Sequence, residues 1–176
     1  DVLIPEQWLE IAHQRWKEAH GRQPVTTEPR IMGVDVAGMG RDCTCFVERQ
    51  GCWASEFKTH NSGGSADHMK IAGAITDRRR HEIEMYVSID TIGEGAGVFS
   101  RCVENERREN SHYIISCKYS EGAKGFNGKN LTDTTGQYEF LNMRAYLFWA
   151  VRDWLNPKNE TGAMLPPDPQ FDEEAT

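Results

Sequence analysis

The chain has 176 residues, of which 38% are hydrophobic and 27% are charged, and this is typical of one globular domain rather than of a disordered or fibrous protein. Its 27 acidic and 20 basic residues give a net charge of -7. The sequence has no apolar run near the roughly 20 residues of a membrane span and does not open with a signal peptide. We therefore expect neither a membrane protein nor a secreted one.

Hydrophobic periodicity predicts a helix that carries Trp8 and Trp16, followed by a proline-containing linker. Three strands come next, and helices then alternate with strands. The second helix is expected to bury Met69 and Ala72, and the last helix to bury Leu141. The predicted elements are a helix over 4–20, strands over 31–36, 43–49 and 52–60, a helix over 66–80, a strand over 83–89, a helix over 97–107, a strand over 113–117 and a helix over 138–155.

This order of elements favours a mixed β-sheet with helices on its faces, and it resembles the layout of a ribonuclease H-like domain. We therefore predict an α/β fold of the ribonuclease H-like class, with a mixed sheet flanked by helices. The domain is expected to occupy 31–176, and a helix and linker to occupy 1–30.

Most of the excess negative charge lies in one segment. Residues 160–176 contain five acidic residues and no basic residue, which leaves 22 acidic and 20 basic residues in 1–159, a net charge of -2. Because that larger part is nearly neutral, a local basic patch for nucleic acid is not excluded.

The five cysteines are odd in number, and we interpret them as the reduced thiols of a cytosolic protein. The spacing of Cys43, Cys45 and Cys52 does not match paired zinc ligands. We expect Cys43 and Cys45 to be buried strand residues, as unpaired cysteines usually are.

Two aspartates lie where a buried strand makes a charge costly. Asp35 interrupts the apolar run Val34-Asp35-Val36, and Asp90 ends a strand immediately before a glycine-rich turn. A buried carboxylate is unfavourable unless it is paired or holds a metal, and carboxylate oxygens suit Mg²⁺ and Mn²⁺. Two such aspartates on adjacent strands are able to bridge one or two ions about 4 Å apart for phosphodiester cleavage. Taken alone, Asp90 is equally well explained as a turn residue.

Two further carboxylates are candidates for a supporting role around such a site. Asp42 either supports the metal ligands or closes the turn after Gly40, and Glu94 is either solvated or close enough to touch a metal-bound water. The six histidines show no metal-ligand spacing, and neither His60 nor His68 is assigned a role.

Basic residues cluster at two places in the chain. Residues 118–130 combine glycines and two aromatics with three lysines that suit a DNA phosphate backbone, although a solvated surface loop explains them equally well. The three lysines are Lys118, Lys124 and Lys129. Residues 78–80 are three arginines at the end of a predicted helix, where cations meet the negative end of the helix dipole.

Several segments, taken in order, resemble the nuclease domain of tailed-phage terminase large subunits. The first motif of that family is similar to residues 31–42, IMGVDVAGMGRD, and the second to residues 88–98, SIDTIGEGAGV. The helix that follows in the family resembles 141–155, and the loop after that helix resembles 162–169. Residues 4–8 are like the segment that joins such domains to the packaging ATPase.

The resemblance implies a ribonuclease H-like endonuclease that uses two Mg²⁺ or Mn²⁺ ions to cut concatemeric viral double-stranded DNA during genome packaging in the host cell cytoplasm. Asp35 and Asp90 match two of the family's three metal-binding catalytic acids. The implied partners are double-stranded DNA, the portal protein, the small terminase subunit and the ATPase domain of the same full-length chain.

The sequence departs from the family at the third metal-binding acid, which usually lies in a later motif before Ala-Leu. That motif does not occur here, and the nearest later acids, Asp168 and Asp172, do not match it. Either the chain is cut before the motif or the site is incomplete. No G-x4-G-K-[ST] phosphate loop occurs, so ATP hydrolysis is not expected of this chain.

Two alternatives from other classes stay open. An actin-like or sugar-kinase-like nucleotide-binding fragment also begins with a strand, an aspartate and a glycine turn, and Gly33-Val34-Asp35 suits its phosphate loop. A non-catalytic docking module of the packaging motor would bind its partner through the acidic segment 160–176 or through the helix with Trp8 and Trp16. Metal-dependent DNA cleavage separates the nuclease from both.

Overall fold

A computed structural model of the protein describes residues 2–38, 42–61, 67–125 and 127–168. Several predictions fall partly outside the described residues: the motif over 31–42 at positions 39–41, the helix over 66–80 at position 66, the loop over 118–130 at position 126, and the acidic segment 160–176 at positions 169–176. The fold is mixed α/β with a six-stranded mixed sheet flanked by helices, so the predicted fold class is confirmed. The helices are α1 (Glu6–Glu18), α2 (His68–Arg80), α3 (Gly95–Asn105) and α4 (Met143–Leu155). The strands are β1 (Arg30–Asp35), β2 (Thr44–Gln50), β3 (Trp53–Ala54), β4 (Lys58–His60), β5 (Tyr86–Asp90) and β6 (Ile114–Cys117).

The chain divides into two compact units. The sheet unit comprises Thr26–Gly51 and Glu56–Lys118, and it contains five of the six strands together with α2 and α3. The terminal unit comprises Asp1–Val25, Cys52–Ser55 and Tyr119–Thr176, and it contains α1, β3 and α4.

β1 lies at the centre of the sheet unit. It pairs antiparallel with β2, where Asp35 faces Cys45, and parallel with β5, where Val34 faces Ile89. β5 in turn pairs parallel with β6, and β4 pairs antiparallel with β2. The parallel β5–α3–β6 connection packs a helix onto the sheet, as crossovers of this kind do.

Alternating residues of the central strands form the core of the sheet unit. Val34 and Ile89 point to the face that packs on α2 and α3, where they meet Ile71, Ile75 and Val98. Successive side chains of a strand point to opposite faces. Asp35 and Asp90, one position further along, therefore belong to the face away from that core.

Partly buried ion pairs tie α2 to β2 and to the residue that ends α3. Arg78 donates to both carboxylate oxygens of Glu48 at 2.7 Å, and Arg30 donates to the same carboxylate at 2.8 Å. Arg79, only 2% exposed, donates to Glu106 at 2.6 Å. Arg78 and Arg79 therefore neutralise carboxylates within the fold, in addition to their favourable place at the helix end.

Replacing Glu48 with glutamine is expected to destabilise the protein by about 2 kcal/mol at neutral pH, because charge-assisted hydrogen bonds are lost. Burial acts to raise the pKa of Glu48, but the hydrogen bonds and charges of Arg78 and Arg30 outweigh it, and the pKa is lowered from the usual 4.5. The stability that Glu48 contributes is therefore complete above its usual pKa and is lost as the pH falls through the lowered value.

Thermal unfolding of the wild type and Glu48→Gln between neutral and acidic pH measures this effect. The two melting curves should converge in acid, while Glu84→Gln, which changes an exposed glutamate of the same unit, should follow the wild type throughout. A difference between wild type and Glu48→Gln that does not depend on pH would contradict the assignment.

The terminal unit has its own apolar cluster, formed between α1, α4 and the residues after α4. Leu9 and Leu155 are both 2% exposed at its centre. The guanidinium of Arg152 lies 5.3 Å from the ring centre of Trp8 and 4.5 Å from that of Trp149, which links the two helices. None of the described helices is long and apolar enough to cross a membrane.

Several details of the sequence prediction are wrong. The predicted third strand is interrupted between β3 and β4, and α4 begins five residues later than expected. Met69 and Leu141 are 59% and 90% exposed instead of buried. Cys43 is exposed and Cys45 is only half-buried, although the sequence predicts that both are buried. Thr44, 0% exposed, points toward the core, so side-chain alternation places both of its neighbours on the other face.

Candidate functional site

The fold brings Asp35 and Asp90 together at one edge of the sheet. Because β1 and β5 are parallel, their carboxyl ends meet at the same edge, and Asp35 and Asp90 directly follow the paired residues Val34 and Ile89. Neighbouring strands lie about 4.8 Å apart, and the two side chains share one face. This matches the placement that the strand pattern predicts, while the role of the two carboxylates as metal ligands stays a prediction.

The carboxylates at this edge repel one another. Asp35 is exposed, yet partial burial raises the pKa of its carboxyl above the usual 3.8, and the negative charges of Asp90 and then Asp42 raise it further. Asp42 is therefore close enough to act on Asp35 through its charge. A divalent cation would relieve this repulsion.

The turn after β5 fixes the position of Asp90. Its Oδ1 accepts a hydrogen bond of 3.0 Å from the backbone N–H of Ile92, and the N–H of Thr91 donates to the carbonyl of Cys117 at 2.9 Å. Gly95 opens α3 so close to β5 that a Cβ there would lie 1.7 Å from the carbonyl oxygen of Asp90. The backbone that carries Asp90 is thus held from both sides.

Glu94 lies four residues beyond Asp90, at the N-cap position of α3. Its Oε2 accepts a hydrogen bond of 2.6 Å from Nε2 of His68, the first residue of α2. The structure thus gives a specific partner to a carboxylate that the sequence left as solvated or water-contacting. Sequence reasoning missed His68, because 26 residues separate it from Glu94 and no spacing rule joins them.

The three candidate DNA-binding lysines are all exposed. Lys118 directly follows β6 in the sheet unit, whereas Lys124 and Lys129 belong to the terminal unit. The segment around the latter two has backbone pairing of its own, because Lys124 pairs with Asn130 in an antiparallel bridge and Gly125 N–H donates to the carbonyl of Lys129 at 2.9 Å.

The residues at the sheet edge fit a weakly coordinated divalent cation. Among the residues whose positions are described, no three His, Cys, Asp or Glu side chains stand close enough to hold a metal ion by themselves. Mg²⁺ commonly takes only one or two carboxylates and completes its shell with waters and phosphate oxygens. The Asp35 and Asp90 carboxylates, with their mutual repulsion, suit that mode of binding.

Comparison with known proteins gives matches in structure only. No family model and no curated protein sequence matches the chain. The chain is similar to the nuclease domain of the large terminase subunit gp2 of bacterial virus Sf6, with 20% identity and a TM-score of 0.66 over 97% of this chain and 75% of that one.

Mutant forms of the same Sf6 domain give similar values. One, with manganese and β-thujaplicinol, matches with 18% identity and a TM-score of 0.67 over 99% of this chain and 79% of that one. Another, with calcium, also covers 99% of this chain and 79% of that one, with 18% identity and a TM-score of 0.63. The resemblance seen in the sequence motifs therefore extends to three dimensions: the chain has the fold of a terminase nuclease domain.

Proposed function

We propose that this chain is the metal-dependent endonuclease domain of a viral terminase large subunit, cleaving concatemeric double-stranded DNA during genome packaging. The observation that carries the proposal is the placement of Asp35 and Asp90 side by side, with the pKa of Asp35 raised by burial and by neighbouring carboxylates. The likeness to the Sf6 nuclease domain, whose mutant form has one structure with manganese and another with calcium, supports it.

Asp35 and Asp90 are the proposed ligands of one or two Mg²⁺ or Mn²⁺ ions. When bound, such ions supply charge stabilisation for the phosphate and lower the pKa of water so that it attacks at neutral pH. The protein's part is to hold one oxygen of Asp90 through the N–H of Ile92, to leave the exposed carboxylate of Asp35 open to the cation, and to add the negative charge of Asp42 nearby.

DNA attraction is proposed to come from local basic residues, because the net charge is -7. Lys118, Lys124 and Lys129 are exposed and able to contact phosphates without regard to base sequence. In the wider assembly, we propose that 1–30 joins the domain over 31–176 to an ATPase domain of the same full-length chain, with the portal protein and small terminase subunit as partners in the host cytoplasm.

Incubation of a supercoiled plasmid with the protein tests the proposal. We expect nicked and linear DNA in the presence of Mn²⁺ or Mg²⁺, and intact plasmid when EDTA is present. The metals and EDTA without protein provide the controls. Intact plasmid with both metals, together with no Mn²⁺ binding in a calorimetric titration, would contradict the proposal.

A further inference from the structure

The pair formed by His68 and Glu94 lies at the end of β1 and β5 that carries Asp35 and Asp90, on the side of the sheet covered by α2 and α3. α2 ends just before β5 and α3 begins just after it, so the first residues of both helices lie at the carboxyl end of β5. The His68–Glu94 hydrogen bond of 2.6 Å joins these two helix starts. Its length is that of a charge-assisted bond, which is stronger than one between neutral groups.

Two glycines leave the room that the pair occupies. A Cβ on Gly97 would lie 2.8 Å from Nδ1 of His68, so the imidazole fits only because that helix position has no side chain. A Cβ on Gly38 would lie 3.3 Å from Cγ of Glu94, which places the Glu94 side chain beside the segment that follows β1. The pair therefore contacts the backbone three residues beyond Asp35 as well as α3.

The second oxygen of Glu94 faces this same segment. Oε1 would lie 3.9 Å from a Cβ on Gly38, and within the described ranges of the chain only His68 forms a hydrogen bond with the carboxylate, through Oε2. The side chain of Glu94 is 38% exposed, so water reaches it. A carboxylate whose orientation is fixed through one oxygen presents the other as a directed acceptor.

We propose that Glu94 accepts, through Oε1, a hydrogen bond from the water that attacks the DNA phosphate, and that His68 is a positioning residue that holds Glu94 for this purpose. The water oxygen forms a bond to phosphorus while the bond to the leaving 3′ oxygen breaks. The water gives up its proton to solvent, and the leaving oxygen takes one from solvent. This inference rests on the proposed nuclease function. Asp35 and Asp90 bind the cation in that proposal, while Glu94 orients water and does not serve as a ligand. Removing His68 should therefore slow the reaction and leave cation binding unchanged.

His68→Ala and His68→Gln, measured with the whole chain, separate positioning from a purely structural role. We expect His68→Ala to lower kcat for plasmid cleavage about 10- to 100-fold, the size expected for losing one hydrogen bond to a charged group, with unchanged KM for DNA. His68→Gln should recover most of the rate, because its amide N–H also reaches Glu94. Manganese affinity, measured by calorimetric titration, should equal that of the wild type in both variants.

Two further variants show whether a loss of rate comes from misfolding. Gly97→Ala displaces the imidazole without removing it and should reproduce the rate loss of His68→Ala, with melting temperature checked in parallel. His81→Ala, which changes an exposed histidine at the opposite end of α2, should behave as the wild type.

The proposal is overturned if His68→Ala cuts DNA as fast as the wild type, or if His68→Gln is as slow as His68→Ala. A loss of manganese affinity as large as that of Asp90→Asn would also overturn it, because Glu94 would then act as a ligand. A wild type that neither cuts DNA nor binds Mn²⁺ would remove both this role and the nuclease function, whereas an active wild type with an equally active His68→Ala removes this role alone.

Discussion

Asp35→Asn and Asp90→Asn are each expected to lower metal-dependent plasmid cleavage by about 1000-fold or more. A bound divalent ion contributes several kcal/mol of charge stabilisation to phosphodiester hydrolysis, and about 4 kcal/mol corresponds to three powers of ten in rate. Asparagine keeps the shape of the side chain and removes its negative charge. The loss should therefore arise from weaker cation binding and not from a damaged fold.

The stability of the metal-free protein should change in the opposite direction for Asp35→Asn. The pKa of Asp35 is raised in the folded state by burial and by the charges of Asp90 and Asp42. A raised carboxyl pKa means that the folded state is relatively more stable when Asp35 is protonated, and that this advantage is lost as the pH rises above the usual value of 3.8. A neutral asparagine avoids this cost at neutral pH, so we expect Asp35→Asn to melt at a higher temperature than the wild type.

Cleavage rates, manganese titrations and thermal melts of the two variants provide the measurements. Asp77→Asn is a matched control, because Asp77 is an exposed aspartate in the C-terminal part of α2, and it should leave all three quantities unchanged. Binding of Mn²⁺ should raise the melting temperature of the wild type and have little effect on Asp35→Asn. Full cleavage by either asparagine variant would show that the metal site lies elsewhere.

The sequence predicts the acid pair because its signal is local. A charge within an apolar strand, as at Asp35, and another at a strand end, as at Asp90, are costly enough to stand out. The alternation of side chains and the parallel pairing of β1 with β5 then place them together. The order of helices and strands is predicted for the same reason, because hydrophobic periodicity and turn residues are properties of neighbouring positions in the chain.

The sequence does not predict contacts that depend on where distant segments meet. His68 and Glu94 carry no shared pattern, and only the packing of α2 beside α3 reveals their hydrogen bond. The prediction that Leu141 is buried is wrong for a related reason. Leu141 fits the periodicity of a helix that begins earlier, but Asn142 caps α4 by accepting from the N–H of Ala145 at 2.9 Å, which leaves Leu141 outside the helix.

Gly95→Ala is expected to destabilise the protein by about 3 kcal/mol, or roughly 6–12 °C in melting temperature. A Cβ at position 95 would lie 1.7 Å from the carbonyl oxygen and 2.9 Å from the carbonyl carbon of Asp90, so the start of α3 and the end of β5 must separate. Gly95 is buried at this junction, and the methyl group has no alternative space. The displaced residue is Asp90 itself, so manganese affinity should fall together with stability.

Gly73→Ala makes the same chemical change in a helix with the opposite expected result. Gly73 lies within α2, is exposed, and a Cβ there would meet nothing within 4 Å. Alanine should stabilise that helix by about 0.5–1 kcal/mol. Thermal melts of both variants, with manganese titrations on the folded proteins, therefore test the local geometry. Equal melting temperatures for Gly95→Ala and the wild type would mean that α3 does not begin against Asp90, and the position assigned to the second carboxylate would be wrong.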